Sequence, residues 1–351
     1  MISKSTHRIL IYIALTLIVV MAIGGFYAYR VYEKMFSPNV NTGDNEQAYL
    51  YLPTGAVYSE VLTILEEQNL IVDIESFKWM SSRMGYPQSV KAGRYRLTEN
   101  MSNREVIATL RAGLQTPVRV TFTGFRTPQQ LAQRVAKHIE ADSAEIVRSF
   151  LSDEIANQYG FNRQTFIAMF IPNTYEFFWN TNVKGFFDRM HREYEAFWTE
   201  AKVKKAQEIG LDKLKVSILA SIVEEETIKT DERPKVAGVF MNRLNSNIAL
   251  QADPTVKFAN GDFSIRRILT RHLDIDSPYN TYKYRGLPPG PINAPSISSI
   301  NAVLSYERHQ YIYFCAKPDY SGYHNFARTL AEHNRNAREY QQFLNKERIF
   351  R

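Results

Sequence analysis

The sequence predicts an α+β protein tied to a membrane by one N-terminal helix, and three observations predict it. The run Ile9–Tyr29 is almost uninterrupted apolar residues. Beyond it, runs with helical apolar spacing are interspersed with short strand-like runs. The 351 residues, 44% hydrophobic and 23% charged, leave room for two globular units plus an appendage and are ordinary for a chain that buries a core.

Composition closes several routes. The single cysteine, Cys315, forbids an intrachain disulfide and leaves no thiol set for zinc. The 7 histidines show no H-x-x-x-H or H-E-x-x-H spacing, so neither a metal site nor a cofactor is expected. Net charge +7 and a pI near 9.2 favour an anionic partner. Nucleic acid is a poor fit, because no basic run carries interleaved aromatics and a membrane span precedes the body. The 21 tyrosines and 21 phenylalanines read first as core, although exposed rings also stack on sugar faces.

About 20 apolar residues at helical rise match a bilayer core. Thr16 can bond back to the helix carbonyls, and Tyr27 and Tyr29 suit the interface. The rival is a cleaved signal peptide with Ala22-Ile23-Gly24 as its cleavage site, but the apolar run is long and continues past that point. A retained single-pass anchor is the better reading. Lys4 and Arg8 before the span balance Arg30 and Lys34 after it, so charge leaves the topology open. A short cytoplasmic tail (1–8) and a large external body suit an N-in anchor. Residues 30–47 follow as a linker, with Val40–Gln47 polar and turn-rich.

Residues 48–115 read as a small α+β module. Ala48–Leu52 is a short strand closed by Pro53-Thr54-Gly55. In Val57–Leu70 the residues Val61, Leu62, Leu65 and Leu70 share a helix face, and Asn69 is the stop signal. Ser76–Met84 is a second helix with Ser76 as N-cap. Lys91–Leu97 is a strand that places Arg94 and Arg96 on one side, and Ser102–Leu110 is a helix opened by a Ser102/Glu105 capping box.

Residues 116–345 form the larger α+β unit. Thr116–Phe122 is strand-like, and Gly124-Phe125-Arg126 turns it into the helix Gln129–His138. Ser149–Tyr159 and Phe161–Phe170 are helices or loops leading to Ile171-Pro172-Asn173-Thr174-Tyr175-Glu176. Val183–Lys205 is one long amphipathic helix whose Phe186, Phe187, Met190, Tyr194, Phe197 and Trp198 pack in the core. Val216–Thr227 reads V-S-I-L-A-S-I-V-E-E-E-T. Ile218, Leu219, Ile222 and Val223 make one apolar stripe, and Glu226 falls within about 10–20° of its centre at roughly 100° per residue. Glu225 lies at the stripe's edge, facing solvent, and Glu224 points nearly opposite. Helix-end charge runs are usually solvated faces, but a carboxyl carried inward has its pKa raised and becomes a general acid near neutrality. After the helix Pro234–Leu244 the chain turns loop-rich. Tyr311–Phe314 is a buried-strand candidate, and Thr329–Leu344 a closing helix.

The order of short motifs in this second unit resembles one family. A-S-I-V-E-E-E-T, V-F-x-N-R-L, L-Q-A-D-P-T-V, Y-N-T-Y, G-L-P-P-G-P-I and H-N-F-x-x-T-x-x-E-H-N follow one another over roughly Thr116–Phe343, as in the endolytic murein transglycosylase (YceG-like) family. Each motif alone is weak; the ordered series is specific.

The resemblance implies one membrane span, a LysM-like module over 48–115 and a catalytic domain over 116–345. It implies a catalytic body in the periplasm on the inner membrane and peptidoglycan glycan strands as substrate. Cell-wall synthases would be natural neighbours. The implied reaction cleaves the β-1,4 bond between N-acetylmuramic acid and N-acetylglucosamine in nascent strands, leaving 1,6-anhydro-muramyl ends and terminating elongation. The family's catalytic glutamate, the second acid of S-I-x-E-x-E-T, maps onto Glu226, and Glu224 matches the first as a supporting residue. The family pattern also points to Gln251, Asp253, Thr255, Tyr279, Asn280, Thr281, Tyr282 and Asn325 as substrate-binding residues. Asp253 before Pro254 reads equally as a turn former, Tyr282 as packing and His324 as a structural histidine. Asn173 departs from the pattern, since many relatives carry an acid there. Two alternatives stay open: a glycan-binding scaffold without catalysis, and a two-carboxylate hydrolase pairing Asp253 with Glu226.

Overall fold

The computed structural model describes residues 4–265 and 268–347. The chain is mixed helix and small sheets, and it divides into two compact units: Met1–Val118 with Glu176–Thr181, and Arg119–Tyr175 with Asn182–Arg351.

In the first unit, α1 (Lys4–Phe36) is one helix; within Arg8–Phe36 an 18-residue window has a mean hydropathy of 2.7 and none of that window is buried, so the helix is long and apolar enough to cross a membrane. The Thr16 hydroxyl donates to Tyr12 O at 2.8 Å, the back-bond its position suggests. The helix runs seven residues past the expected end of the span, and the polar stretch after it is no loose linker. Val40 is buried in the unit's core, and the Asn39 amide donates to Asn103 Oδ1 (2.7 Å) and to Asp73 O (2.9 Å). These side chains satisfy each other, so a stretch that reads as solvated is folded in. β1 (Gln47–Leu52), α2 (Tyr58–Glu67), α3 (Ile74–Arg83), β2 (Gly93–Thr98) and α4 (Asn103–Ala112) follow. β1 and β2 pair antiparallel, Leu50 opposite Tyr95 and Leu52 opposite Gly93, so Leu50, Leu52, Tyr95 and Leu97 point into one core with Val61, Leu65, Phe77 and Leu110. Asn69 takes φ +50° just beyond α2, the left-handed stop that asparagine tolerates. The cap of α3 is Asp73, which accepts from Ser76 N at 3.0 Å; Ser76 lies inside the helix. The Ser102/Glu105 capping box forms as expected.

The second unit holds most of β3 (Val118–Phe122), which forms a two-stranded sheet with β4 (Asn173–Phe177). Between them lie α5 (Pro128–Val135), α6 (Ser143–Phe150) and α7 (Asp153–Gln158). The expected long helix breaks into α8 (Val183–Phe197) and α9 (Glu200–Glu208). At the break Trp198 leaves helical geometry to bury its ring against Tyr194 and Phe197, and β-branched Thr199 starts the next helix. Phe186, Phe187, Met190 and Tyr194 are buried; Phe170 stacks on Phe186, and Phe166 and Phe170 both meet Phe187 edge-on.

α10 (Lys213–Glu226) is the centre of this unit. Residues Val216 to Val223 are all buried, because α9, α11 (Arg233–Asn245), α12 (Asp253–Asn260) and α14 (Ile297–Leu304) surround the helix. A short α13 (Thr270–Leu273) precedes α14 in the chain. β5 (Tyr313–Ala316) and β6 (His324–Ala327) then pair antiparallel, and α15 (Leu330–Lys346) packs on both. The strand expected at Tyr311–Phe314 starts two residues later and is half-buried throughout, as a two-stranded ribbon lined by helices on one side must be.

Candidate active site

α10 starts at Asp212, which accepts from Lys215 N at 2.7 Å, and ends in three acids where unpaired carbonyls make a negative helix terminus. Carboxylates are disfavoured there unless each is compensated, and the three are treated differently. Glu224 accepts from Ser296 N at 2.6 Å, at the N-cap of α14. Glu225 accepts from Arg126 Nη2 at 2.6 Å and from Asn293 Nδ2 at 2.7 Å. Its side chain is only 22% exposed, which corrects the solvent-facing expectation: on a helix packed all round, no stripe edge faces water. Glu226 receives no such donor among the described residues.

Glu226 instead lines a cavity of about 440 Å³ bounded by the ends of α10 and α11, the start of α12, β5 and α15. Burial is the main reason its carboxyl is pushed up to about 8; the negative charge of Asp253 adds to the rise, Lys257 opposes it, and Glu225 adds a smaller rise. Opposite, Tyr282 OH donates to Asp253 Oδ1 at 2.6 Å, and burial followed by that bond pushes the phenol's pKa up, keeping it a donor. Arg243, buried, is locked by Ala249 O (2.9 Å) and Ile312 O (2.8 Å), and its third arm holds the Gln251 side chain at 2.5 Å. Gln251 sits at φ +53°, a strained geometry for a non-glycine residue, held by its N–H to Thr281 O at 3.1 Å. The far wall carries Tyr313 stacked on His333, whose Nδ1 is buried without a partner among the described residues. Burial and Arg243 hold His333 below the usual histidine range, hence neutral. Among the described residues no group of three or more His, Cys, Asp or Glu is placed to hold a metal ion. A protonated carboxyl facing a cavity lined by hydroxyl, amide and guanidinium groups can donate a proton to a bound polar substrate.

A family model for the YceG-like family matches residues 50–339, most of the chain. The chain belongs to the YceG-like family. Among YceG-like relatives, it is 29% identical to an endolytic murein transglycosylase of Bacillus subtilis, with 91% of each chain covered. It is 26% identical to the endolytic murein transglycosylase of Streptococcus pneumoniae, covering 93% of this chain and 64% of that longer protein. The crystal structure of a YceG-like protein from Listeria monocytogenes is similar at TM-score 0.56 and 28% identity, over 83% of this chain and 99% of that one.

Of the residues to which the YceG-like pattern points, the cavity brings together Glu226, Gln251, Asp253 and Tyr282. Thr255, Asn280 and Thr281 are fully buried and off its wall. Their side chains are spent on the chain itself: Thr281 Oγ1 accepts from Ala252 N (3.0 Å) and lies 2.8 Å from Thr255 Oγ1, while Asn280 Nδ2 donates to Leu273 O and Ile275 O. Thr281 and Thr255 hold the loop that carries Tyr282 against the segment that carries Gln251 and Asp253, and Asn280 ties that loop back to the end of α13. Tyr279 packs on Phe258 with ring centroids 4.6 Å apart, away from the cavity wall. Asn325 is half-buried on β6 opposite Cys315, also off the wall. His324 is tied through Nδ1 to Glu232 at 2.7 Å, and Glu232 accepts from Thr227 Oγ1 just past Glu226, a brace for the end of α10. Asn173 is exposed on β4, where its Oδ1 accepts from Thr174 N at 2.8 Å. Wall residues that pattern reading missed are Arg243, Tyr313, His333 and Asn334. Arg243 and His333 lie inside the motifs V-F-x-N-R-L and E-H-N, so the motifs held them without marking them.

Proposed function

We propose that this chain is an endolytic murein transglycosylase, cleaving the β-1,4 bond between N-acetylmuramic acid and N-acetylglucosamine with Glu226 as its proton donor. The observation that carries the reading is a carboxyl held protonated to about pH 8 on a cavity wall, at the acidic position of an ordered motif series. Membership of a family whose curated relatives bear that activity in their names supports the substrate. In this mechanism Glu226 gives its proton to the glycosidic oxygen as the bond to C1 breaks. The muramic acid C6 hydroxyl then closes on C1, and the Glu226 carboxylate takes that hydroxyl's proton, which restores the acid. No water is consumed, and the nucleophile is already tethered to the electrophile. Tyr282, Asp253, Gln251 and Arg243 orient the sugar, and Glu224 braces the helix end through Ser296.

The same reading makes 48–115 a LysM-like glycan-binding module and 116–345 the catalytic domain. α1 is then a single-pass inner-membrane anchor with the body in the periplasm, where nascent strands and their synthases are found. A second reading has one observation behind it: Asp253 shares the cavity with Glu226, so the pair could hydrolyse the bond as acid and base. Product mass separates them, since hydrolysis leaves a reducing end heavier by one water than the anhydro end. The deciding experiment digests purified sacculi with wild type and Glu226→Gln. Wild type should release anhydro-muropeptides and the variant none; anhydro product from the variant would sink the assignment.

A further inference from the structure

Beside the candidate active site lies a second, smaller cavity of about 70 Å³, walled by Arg126, Lys257, Phe258, Phe263 and Ile292 and floored by Glu225. It is the size of one small polar group. Its two cations are not equivalent. Arg126 is committed to Glu225, which Asn293 also holds, and its guanidinium lies 5.5 Å from the Phe263 ring centroid. Lys257, half-buried on α12 one turn after Asp253, has no carboxylate partner among the described residues. Its ammonium is therefore the one of the two cations in this cavity that is free to meet an anion. Lys257 also works against Glu226, lowering the tendency of that acid to keep its proton.

We propose that Lys257, backed by Arg126, forms a carboxylate subsite for the peptide carried on the lactyl group of muramic acid, so that the enzyme prefers peptide-bearing strands to bare glycan. The inference rests on the murein reading above. The apolar walls of Phe258, Phe263 and Ile292 suit the small methyl-bearing residues of such a peptide, and the Lys257 ammonium suits its acid. The bound carboxylate cancels the field of Lys257 at Glu226, so the correct substrate strengthens the donor's hold on its proton. Substrate choice and proton retention are thereby coupled through one side chain, without any conformational change.

The test compares peptide-bearing strands with strands stripped of peptide by an amidase, using full-length wild type, Lys257→Gln and Lys257→Arg. Loss of one charge-assisted hydrogen bond should lower the preference ratio in kcat/KM roughly ten- to hundredfold in Lys257→Gln, and Lys257→Arg should restore most of it. In wild type the alkaline limb of the rate should lie at higher pH for peptide-bearing strands than for stripped ones, and Lys257→Gln should merge the two limbs. Equal loss on both substrates, or no change in the ratio, overturns the proposal. Because a variant's ratio is read against its own turnover of stripped strands, misfolding cannot imitate the result. Binding of both strand types to Glu226→Gln with and without Lys257→Gln reads the subsite even if no strand is cleaved. In that case the murein reading fails at the cleavage step, while equal affinities for the two strand types would fail the subsite alone.

Discussion

Glu225 and Glu226 are neighbours on one helix end, yet they look into different worlds. Glu225 opens on the small cavity where Arg126 and Asn293 reach it, so it is an ion-paired anchor. Glu226 opens on the large cavity, where burial first and the Asp253 charge second favour its neutral form and no cation among the described residues is bonded to it, so it holds its proton. Both are carboxyls near the same negative helix terminus, which means that chemistry here is assigned by what faces each side chain. One residue of helical rotation, about 100°, is enough to exchange a structural acid for a chemical one.

The comparison breaks most visibly if the donor is removed. Glu226→Gln keeps shape and loses the proton, and general-acid catalysis is worth about 10²–10⁴-fold, so anhydro product should fall by at least that factor in a sacculus digestion. The same variant sharpens the comparison in a second way. The folded chain holds a proton on Glu226 up to about pH 8 that the unfolded chain releases near 4.5. Wild-type stability is therefore unpenalised below pH 4.5 and falls as pH rises towards 8. At about 1.4 kcal/mol per pKa unit, Glu226→Gln should be more stable than wild type by a few kcal/mol at pH 8 and about equal to it at pH 4. Thermal melts at the two pH values check this; equal shifts at both would show that Glu226 is not held protonated.

A smaller effect is expected one residue type away, at Asp253. Its charge is the second cause of the raised Glu226 pKa, after burial. Asp253→Asn keeps an acceptor for Tyr282 while removing the charge, so the alkaline limb of the rate should move to lower pH and turnover at pH 6 should survive in large part. Complete loss at every pH would favour the two-carboxylate hydrolase.

Much of this was readable in advance, and the limits have physical causes. The strands β1 and β2 and the helices α2 to α4 follow their period-two and helical patterns within a few residues, because each has one wet and one dry face. Glu226 was reached from the wheel, but the stripe that pointed to it is not real as a stripe: Val216 to Val223 are buried on every side. A helix enclosed by neighbours has no edge, and so Glu225 faces Arg126 and Asn293 instead of water. Thr255, Asn280 and Thr281 sit in motifs beside wall residues, and pattern alone does not separate a side chain that meets substrate from one that holds the loop. Val40 and Asn39 read as linker because their partners, Asn103 and Asp73, are far along the chain. Arg243 and His333 were invisible as a pair, since the cavity that joins them is made by α11 and α15 from distant parts of the sequence.

The finest test of the comparison is the residue that is not the donor. Glu225 contributes the last of the four influences on Glu226, raising its pKa slightly, and it anchors Arg126. Glu225→Gln removes that charge and weakens the ion pair. Because the pair is partly exposed, stability should fall by only about 1 kcal/mol. The alkaline limb should move down by less than in Asp253→Asn, and release of anhydro product near pH 6 should persist within about tenfold of wild type, since no bond to the reacting sugar is lost. A pH–rate profile beside a melting curve reads both quantities on one sample. A loss as deep as that of Glu226→Gln would mean that the two neighbours are not divided in labour, and that Glu225 and Arg126 act on the substrate directly.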